Sequence, residues 1–243
     1  MARYEYRIRS LETDIHDNVK PKTMLRIAID GVSRQSDHEG ASFERMEKEI
    51  GAVWMLARLK YEQFLPVRGG ETLFADVSGR TLERGTYIRT IEFRNSSETL
   101  AGKTTMVSMA VEKKTRHILR ANAVERLFSN APLPEGAPPL KRVRLRDELP
   151  QIGEITIRYG DCDVNGHLSG PAYADVVCEA LGYWSGQPVL CRELQIDYSA
   201  ECPPGSVVAL RGKKDGEAFE LRGIRQDGII SFTAVGRFMT IDC

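Results

Sequence analysis

The sequence has no excess charge of either sign and no long hydrophobic run. Its 34 basic and 34 acidic residues cancel, so no overall field favours nucleic acid or an anionic membrane as a partner. No stretch approaches the ~20 apolar residues of a membrane-spanning helix. The N-terminal segment MARYEYRIRS is charged and lacks the apolar centre of a signal peptide. We therefore expect a cytoplasmic protein that acts on small molecules or on other proteins.

Cysteine is also scarce. The five cysteines are odd in number and form neither C-x-x-C pairs nor a zinc-binding spacing. All of them lie in the C-terminal half: Cys162, Cys178, Cys191, Cys202 and Cys243. Free thiols in a reducing compartment are therefore expected, with no metal ion and no other cofactor.

Proline, in contrast, is concentrated in one segment. Residues 129–150 read SNAPLPEGAPPLKRVRLRDELP, where five prolines interrupt any regular structure, as is typical of a linker. The sequence thus predicts an N-terminal unit over residues 1–131, a Pro-rich linker over 132–150 and a C-terminal unit over 151–243.

The two predicted units repeat one pattern. Residues 8–19 align with 157–168 at an offset of 149, and residues 59–71 align with 194–206 at an offset of 135. The difference of 14 residues places an insertion in the helical region of the first unit. Each unit reads as a strand, a helix and a series of alternating strands. This order predicts an α+β fold, in which each antiparallel sheet wraps around a central helix.

The second unit contains the octapeptide DCDVNGHL at residues 161–168. It matches the start of a calcium-binding EF-hand loop, but position 12 of that loop would be Ala172, where a bidentate glutamate is required, and a strand precedes it instead of a helix. Calcium binding is therefore not expected. The carboxylate, amide and imidazole of Asp163, Asn165 and His167 instead suit hydrolysis, because they stand before a helix whose free N–H groups can stabilise an oxyanion.

Three motifs, in order along the chain, resemble those of the hotdog-fold thioesterases. They are WMLARLKYEQFLPVRGGE at 54–71, then RYGDCDVNGHL at 158–168, which is followed by a helix with Tyr173, and finally YSAEC at 198–202. In its duplicated arrangement the chain resembles the acyl-acyl carrier protein (acyl-ACP) thioesterase family in particular, over nearly its whole length. The resemblance implies two tandem hotdog units, of which the N-terminal one is non-catalytic and helps to form the acyl tunnel.

The same resemblance implies hydrolysis of fatty acyl-ACP to a free fatty acid and the carrier protein. The catalytic residues that it implies are Asp163, Asn165, His167 and Glu201, with Cys202 as a weaker candidate. The sequence leaves open whether Glu201 or Asp163 activates a water molecule or attacks the thioester directly.

The repeat itself supports one active site per chain. At the first-unit positions that match Asn165, His167 and Glu201, the sequence has a different residue in each case, and only the aspartate is retained. The first-unit residues are His16, Asn18, Pro66 and the retained Asp14.

Each candidate also has a structural explanation when taken alone. Asp163 can cap a turn, Asn165 and Gly166 can form one, and Glu201 can be a solvated loop charge. Cys202 fits a small buried residue better than a nucleophile.

Several alternatives remain at this point. An acyl-CoA thioesterase of the 4-hydroxybenzoyl-CoA type, a hotdog dehydratase and a non-catalytic acyl-binding module use similar folds. Ser169-Gly170 stands where family members often have Asn-Asn, which bears on substrate choice.

A basic run around the linker is either a solvated surface or a docking site for the acidic carrier or a CoA phosphate. It comprises Arg116, Arg120, Arg126, Lys141, Arg142, Arg144 and Arg146. The chain is expected to be a monomer or a homodimer.

Overall fold

A computed structural model describes residues 2–128, 140–145, 148–185 and 189–240. Residues 132–139 and 146–147 of the predicted linker, the end of the N-terminal unit at 129–131 and Cys243 lie outside these ranges. The predicted domain boundaries therefore stay a prediction. Within the described ranges, no helix is both long and apolar enough to cross a membrane.

The helices and strands of the first unit follow the predicted order. They are β1 (Ala2–Arg7), α1 (Pro21–His38), α2 (Phe43–Ile50), β2 (Ala52–Gln63), β3 (Thr72–Val77), β4 (Thr81–Glu83), β5 (Thr86–Asn95), β6 (Leu100–Glu112) and the short α3 (Ala121–Glu125). Those of the second unit are β7 (Gln151–Thr156), α4 (Ala172–Ser185), β8 (Val189–Tyr198), β9 (Val207–Asp215), β10 (Ala218–Arg225) and β11 (Ile230–Thr240).

The described strands form one antiparallel sheet that is continuous across the two units. The order β1-β3-β5-β6-β2 in the first unit recurs as β7-β9-β10-β11-β8 in the second, and β4 is added beside β5. The units join where β2 pairs with β8, with Leu59 opposite Ile196. Two tandem hotdog units, each with a sheet and a central helix, are thereby confirmed.

The two long helices, α1 and α4, lie against the sheet and touch each other. Each turns an apolar stripe inward: Met24 and Leu25 of α1 and Val177 and Leu181 of α4 are completely buried. They belong to one hydrophobic core that spans both units, as expected when two amphipathic helices share a sheet.

Backbone hydrogen bonds confirm both offsets of the repeat. Ile8 N–H donates to Glu71 in the first unit, and Ile157 N–H donates to Ser206 in the second, both at 2.9 Å. The insertion is also confirmed, since α1 has 18 residues against 14 in α4 and α2 has no counterpart among the described residues of the second unit.

Candidate active site

The loop DCDVNGHL folds into a tight turn between β7 and α4. Asp163 N–H donates to the carbonyl of His167 at 3.1 Å, and Gly166 N–H donates to the carbonyl of Asp163 at 2.9 Å. Gly166 has φ +77°, a conformation that glycine adopts without steric cost. The carboxylate of Asp163 accepts the N–H of Asn165 at 2.8 Å. The turn-capping role of Asp163 is therefore present, and it positions Asn165.

The corresponding turn of the first unit has the same framework without the same side chains. Asp14 accepts the N–H groups of His16 and Asn18, each at 2.9 Å. Asp17 takes the place of Gly166, with φ +60°. Because the two turns have the same backbone conformation, the difference between them lies in the side chains that they present.

Glu201 reaches this loop from the end of β8. The segment from Ser199 to Cys202 is held from two sides: Ser199 N–H donates to Ser231 at 2.8 Å, and the carbonyl of Cys202 accepts the N–H of Leu168 at 2.8 Å. Arg225 Nη1 also donates to the carbonyl of Glu201 at 2.5 Å. These bonds fix the backbone of Glu201 beside the loop that carries His167.

All four predicted site residues line one cavity of about 310 Å³ between the units. His167 Nε2 lies 3.4 Å from Oε1 of Glu201. The other ring nitrogen, Nδ1, is 3.1 Å from the carbonyl oxygen of Leu168. Because a carbonyl oxygen only accepts, this contact assigns the hydrogen to Nδ1 and leaves Nε2 facing Glu201 at the cavity.

An arginine completes this cluster. Arg116 Nη2 lies 3.0 Å from Oε1 of Glu201, and Arg116 lines the same cavity. The sequence placed this arginine in the basic run around the linker, and no motif links it to Glu201. The two residues are 85 positions apart and belong to different units, so that only the fold brings them together.

Aromatic side chains form the wall beneath the cluster. Tyr173 of α4 packs edge-to-face on Tyr198 and Phe232, with ring centroids 5.1 and 5.3 Å apart. Tyr198 donates its hydroxyl to the carbonyl of Gly170 at 3.0 Å. Burial raises the pKa of both tyrosines, so their hydroxyls stay protonated at neutral pH.

A second cavity of about 340 Å³ adjoins the first and extends into the first unit. The two cavities share Ile29, Trp54, Leu56 and Asn165. Most of the exposed surface of this cavity is apolar, from residues such as Val32, Ala41, Phe43, Met106 and Phe128. Polar residues, including Ser33, Asp37 and Ser108, also line it.

Buried charges stand at the wall of this second cavity. Arg89 Nη2 lies 2.6 Å from Oε2 of Glu39, and Arg80 Nη1 lies 3.6 Å from the same oxygen. Arg80 also contacts Glu125 at 2.9 Å and stacks over the ring of Phe128, 3.6 Å from its centroid. Burial would raise the pKa of Glu39, but hydrogen bonds from Arg89 and Gln35 and the nearby arginine charges outweigh it and lower the pKa.

Cys202 is buried and is absent from the described cavity walls. Its carbonyl, not its thiol, supports the site loop. This placement agrees with the interpretation of Cys202 as a small buried residue.

The basic residues around the linker lie in separate parts of the structure. Lys141, Arg142 and Arg144 are exposed on a segment that lies along β8, where Val143 N–H donates to Asp197 at 2.9 Å. Arg116 faces the site, and Arg146 lies outside the described residues.

Part of the chain matches a known protein family. Residues 146–231 match the family of acyl-ACP thioesterase C-terminal domains. This match covers the second unit only, and it confirms the resemblance to the acyl-ACP thioesterase family inferred from the motifs. Among curated proteins, none matches the sequence.

Solved structures share the fold over the whole chain. An acyl-ACP thioesterase from Bacteroides thetaiotaomicron is 15% identical, with a TM-score of 0.84 over 98% of this chain and 97% of its own. The 12:0-ACP thioesterase from Umbellularia californica is 14% identical, with a TM-score of 0.77 over 99% and 97%. A MaoC-like dehydratase from Phytophthora capsici is more distant, at 12% identity and a TM-score of 0.57 over 78% and 72%. At these identities the similarity shows a common fold.

Proposed function

We propose that this protein is a thioesterase that hydrolyses fatty acyl-ACP to a free fatty acid and the carrier protein. The observation that carries the proposal is the contact between His167 and Glu201 in a cavity that continues into an apolar one. A proton-transferring pair beside a narrow apolar space suits a substrate with a reactive carbonyl at one end and a hydrocarbon chain at the other. The matched C-terminal family favours the carrier protein as the thiol partner.

The reaction requires one proton to leave water and one to reach the thiol. In the proposed mechanism Glu201 takes a proton from water, and the water oxygen attacks the carbonyl carbon. Asn165, which is held by the Asp163 turn, orients the water or the carbonyl. The proton that Glu201 takes up passes to Nε2 of His167 across their contact, and Nε2 donates it to the leaving sulfur as the carbon–sulfur bond breaks. This last demand is mild because an alkyl thiol has a pKa of only about 8.5.

The hydrocarbon chain occupies the second cavity in this proposal. Ile29, Trp54 and Leu56 belong to the walls of both cavities, so a chain that passes them stays in contact with apolar surface. The first unit thus provides the acyl tunnel and the second unit provides the catalytic groups. The buried charges of Arg80, Arg89 and Glu39 then limit how far an unsubstituted acyl chain extends into the cavity. An apolar chain cannot replace the hydrogen bonds and ion pairs that these buried groups require.

The test is free-thiol release from matched series of acyl-ACP and acyl-CoA esters of increasing chain length. We expect turnover on the carrier esters, with a drop in kcat/KM once the chain exceeds the second cavity. Higher kcat/KM on the CoA esters would identify an acyl-CoA thioesterase instead. Tight acyl binding without thiol release from either series would contradict a thioesterase and indicate a non-catalytic binding module.

A further inference from the structure

The candidate active site contains one charged side chain from the first unit. Arg116 lies in the turn that follows β6, and its guanidinium contacts the same carboxylate oxygen of Glu201 that faces His167, at 3.0 and 3.4 Å respectively. The remaining groups of this cluster come from the second unit. We propose that Arg116 is a positioning residue, which holds the carboxylate of Glu201 beside His167 for the thioesterase reaction proposed above.

The turn that carries Arg116 is fixed at several points. Lys113 N–H donates to the carbonyl of Gly51 at 2.9 Å, and Arg116 N–H donates to the carbonyl of Glu112 at 2.9 Å. Thr115 N–H donates to the side chain of Glu112 at 2.7 Å. A turn with this many fixed backbone groups presents its side chain from a defined position, which a positioning residue requires.

The backbone of Arg116 also adopts a conformation that is unfavourable for arginine. Its φ is +60°, a region in which residues other than glycine, asparagine and aspartate are uncommon. Glycine would relieve this strain but would remove the guanidinium. The strain alone does not assign a role, since Arg84 has a similar φ of +47°; the contact with Glu201 distinguishes Arg116.

The geometry of the carboxylate explains what Arg116 contributes. Among the described residues, both close side-chain contacts of Glu201 are made by Oε1. With that oxygen held between a guanidinium and an imidazole, the rotation of the carboxylate is restricted and Oε2 is left to receive the proton of the attacking water. Both side chains are about 40% exposed, so the contribution is orientation of Glu201 more than stability of the fold.

A positioning role differs measurably from carrier docking, the other role open to a basic residue near the linker. Docking acts on KM and only on carrier-linked substrates. Positioning acts on kcat and applies equally to a small acyl thioester, such as an acyl-N-acetylcysteamine, which lacks the carrier.

The experiment measures single-turnover and steady-state hydrolysis of both substrate types by Arg116→Ala, Arg116→Gly and Arg116→Lys variants. We expect kcat to fall about 10- to 100-fold in the first two, since small displacements of a catalytic group can cost about 100-fold, and lysine to restore part of it. Arg116→Gly should unfold at the same temperature as the native protein or higher, because the turn strain is relieved. The matched control is Arg84→Ala, which removes an arginine from another left-handed turn position and should leave kcat unchanged.

The decisive comparison combines Arg116→Ala with Glu201→Gln. If Arg116 acts through Glu201, removing it in the Glu201→Gln background should change the single-turnover rate less than twofold. The same loss in both backgrounds, an effect on KM for the carrier substrate alone, or full activity of Arg116→Ala would each overturn the positioning role while the thioesterase function stands. Absence of turnover by the native protein would overturn both.

Discussion

The buried ion cluster beside the second cavity provides a quantitative prediction. Glu39 joins the end of α1 to β5 through Arg89 and also approaches Arg80, and the three side chains are only 5–7% exposed. Glu39→Gln keeps the shape of the side chain and removes the charge that both arginines face. In this variant Glu125, which is 26% exposed, would be the remaining acidic partner of Arg80.

The expected loss of stability follows from this burial. Removing one partner of a buried ion pair costs about 3–5 kcal/mol, because the remaining charge stays desolvated without compensation. For a chain of this size, each 1 kcal/mol lowers the unfolding temperature by about 2–4 °C. Glu39→Gln should therefore lower it by about 6–20 °C.

The pKa of Glu39 gives the same cluster a pH dependence. The carboxyl has a lower pKa in the folded protein than its ordinary value of 4.5, so the unfolded chain binds its proton first as the pH falls. The stabilisation is complete above pH 4.5 and is lost as the pH drops through the folded pKa. As the pH falls from 4.5 through the folded pKa, native stability should therefore decline more steeply than that of Glu39→Gln.

Urea unfolding followed by circular dichroism measures both effects. The matched control is Glu47→Gln, which breaks the exposed pair with Lys113 and should remain close to the native protein, since exposed pairs contribute little. A loss below about 1 kcal/mol in Glu39→Gln would refute the reasoning that these buried charges depend on one another.

Three further predictions concern the sheet, the aromatic wall and the basic segment. Gly236→Ala would place a Cβ 1.9 Å from the carbonyl oxygen of Glu193 on the paired strand, so urea unfolding should show a loss of about 1–3 kcal/mol or more; a neutral result would contradict the pairing of β8 and β11. Tyr198→Phe removes the hydrogen bond to Gly170 and should cost about 1 kcal/mol while the ring packing is kept; an unchanged midpoint would contradict a contribution from that bond. Reversing the charges of Lys141, Arg142 and Arg144 to glutamate should raise KM for acyl-ACP with little change in kcat, and an unchanged KM would exclude docking there.

The repeat made much of the fold predictable. A strand, a helix and alternating strands follow from hydrophobic periodicity, and the two offsets located the insertion that contains α2. The continuous sheet was not predictable, because the edge pairing of Leu59 with Ile196 depends on long-range contacts that periodicity does not encode.

The candidate site was predictable where its residues share a motif. Asp163, Asn165 and His167 lie within five positions, and the YSAEC segment identified Glu201. Arg116 could not be assigned to the site, because an isolated arginine near a linker ordinarily indicates a solvated surface. The buried cluster of Glu39, Arg80 and Arg89 was missed for a similar reason, since charged residues are rarely buried unless they are paired in three dimensions.

The central claim is that the chain hydrolyses acyl-ACP at one site, whose proton-transferring groups come from the second unit. The most direct test compares thiol release from acyl-ACP by His167→Ala and Glu201→Gln with that of the repeat-matched variant Asn18→Ala, after circular dichroism has shown that all three are folded. The account predicts that the first two lose at least about 100-fold in kcat, as expected on removal of a proton-transferring group, and that Asn18→Ala retains native activity. Equal activity in all folded variants would contradict it.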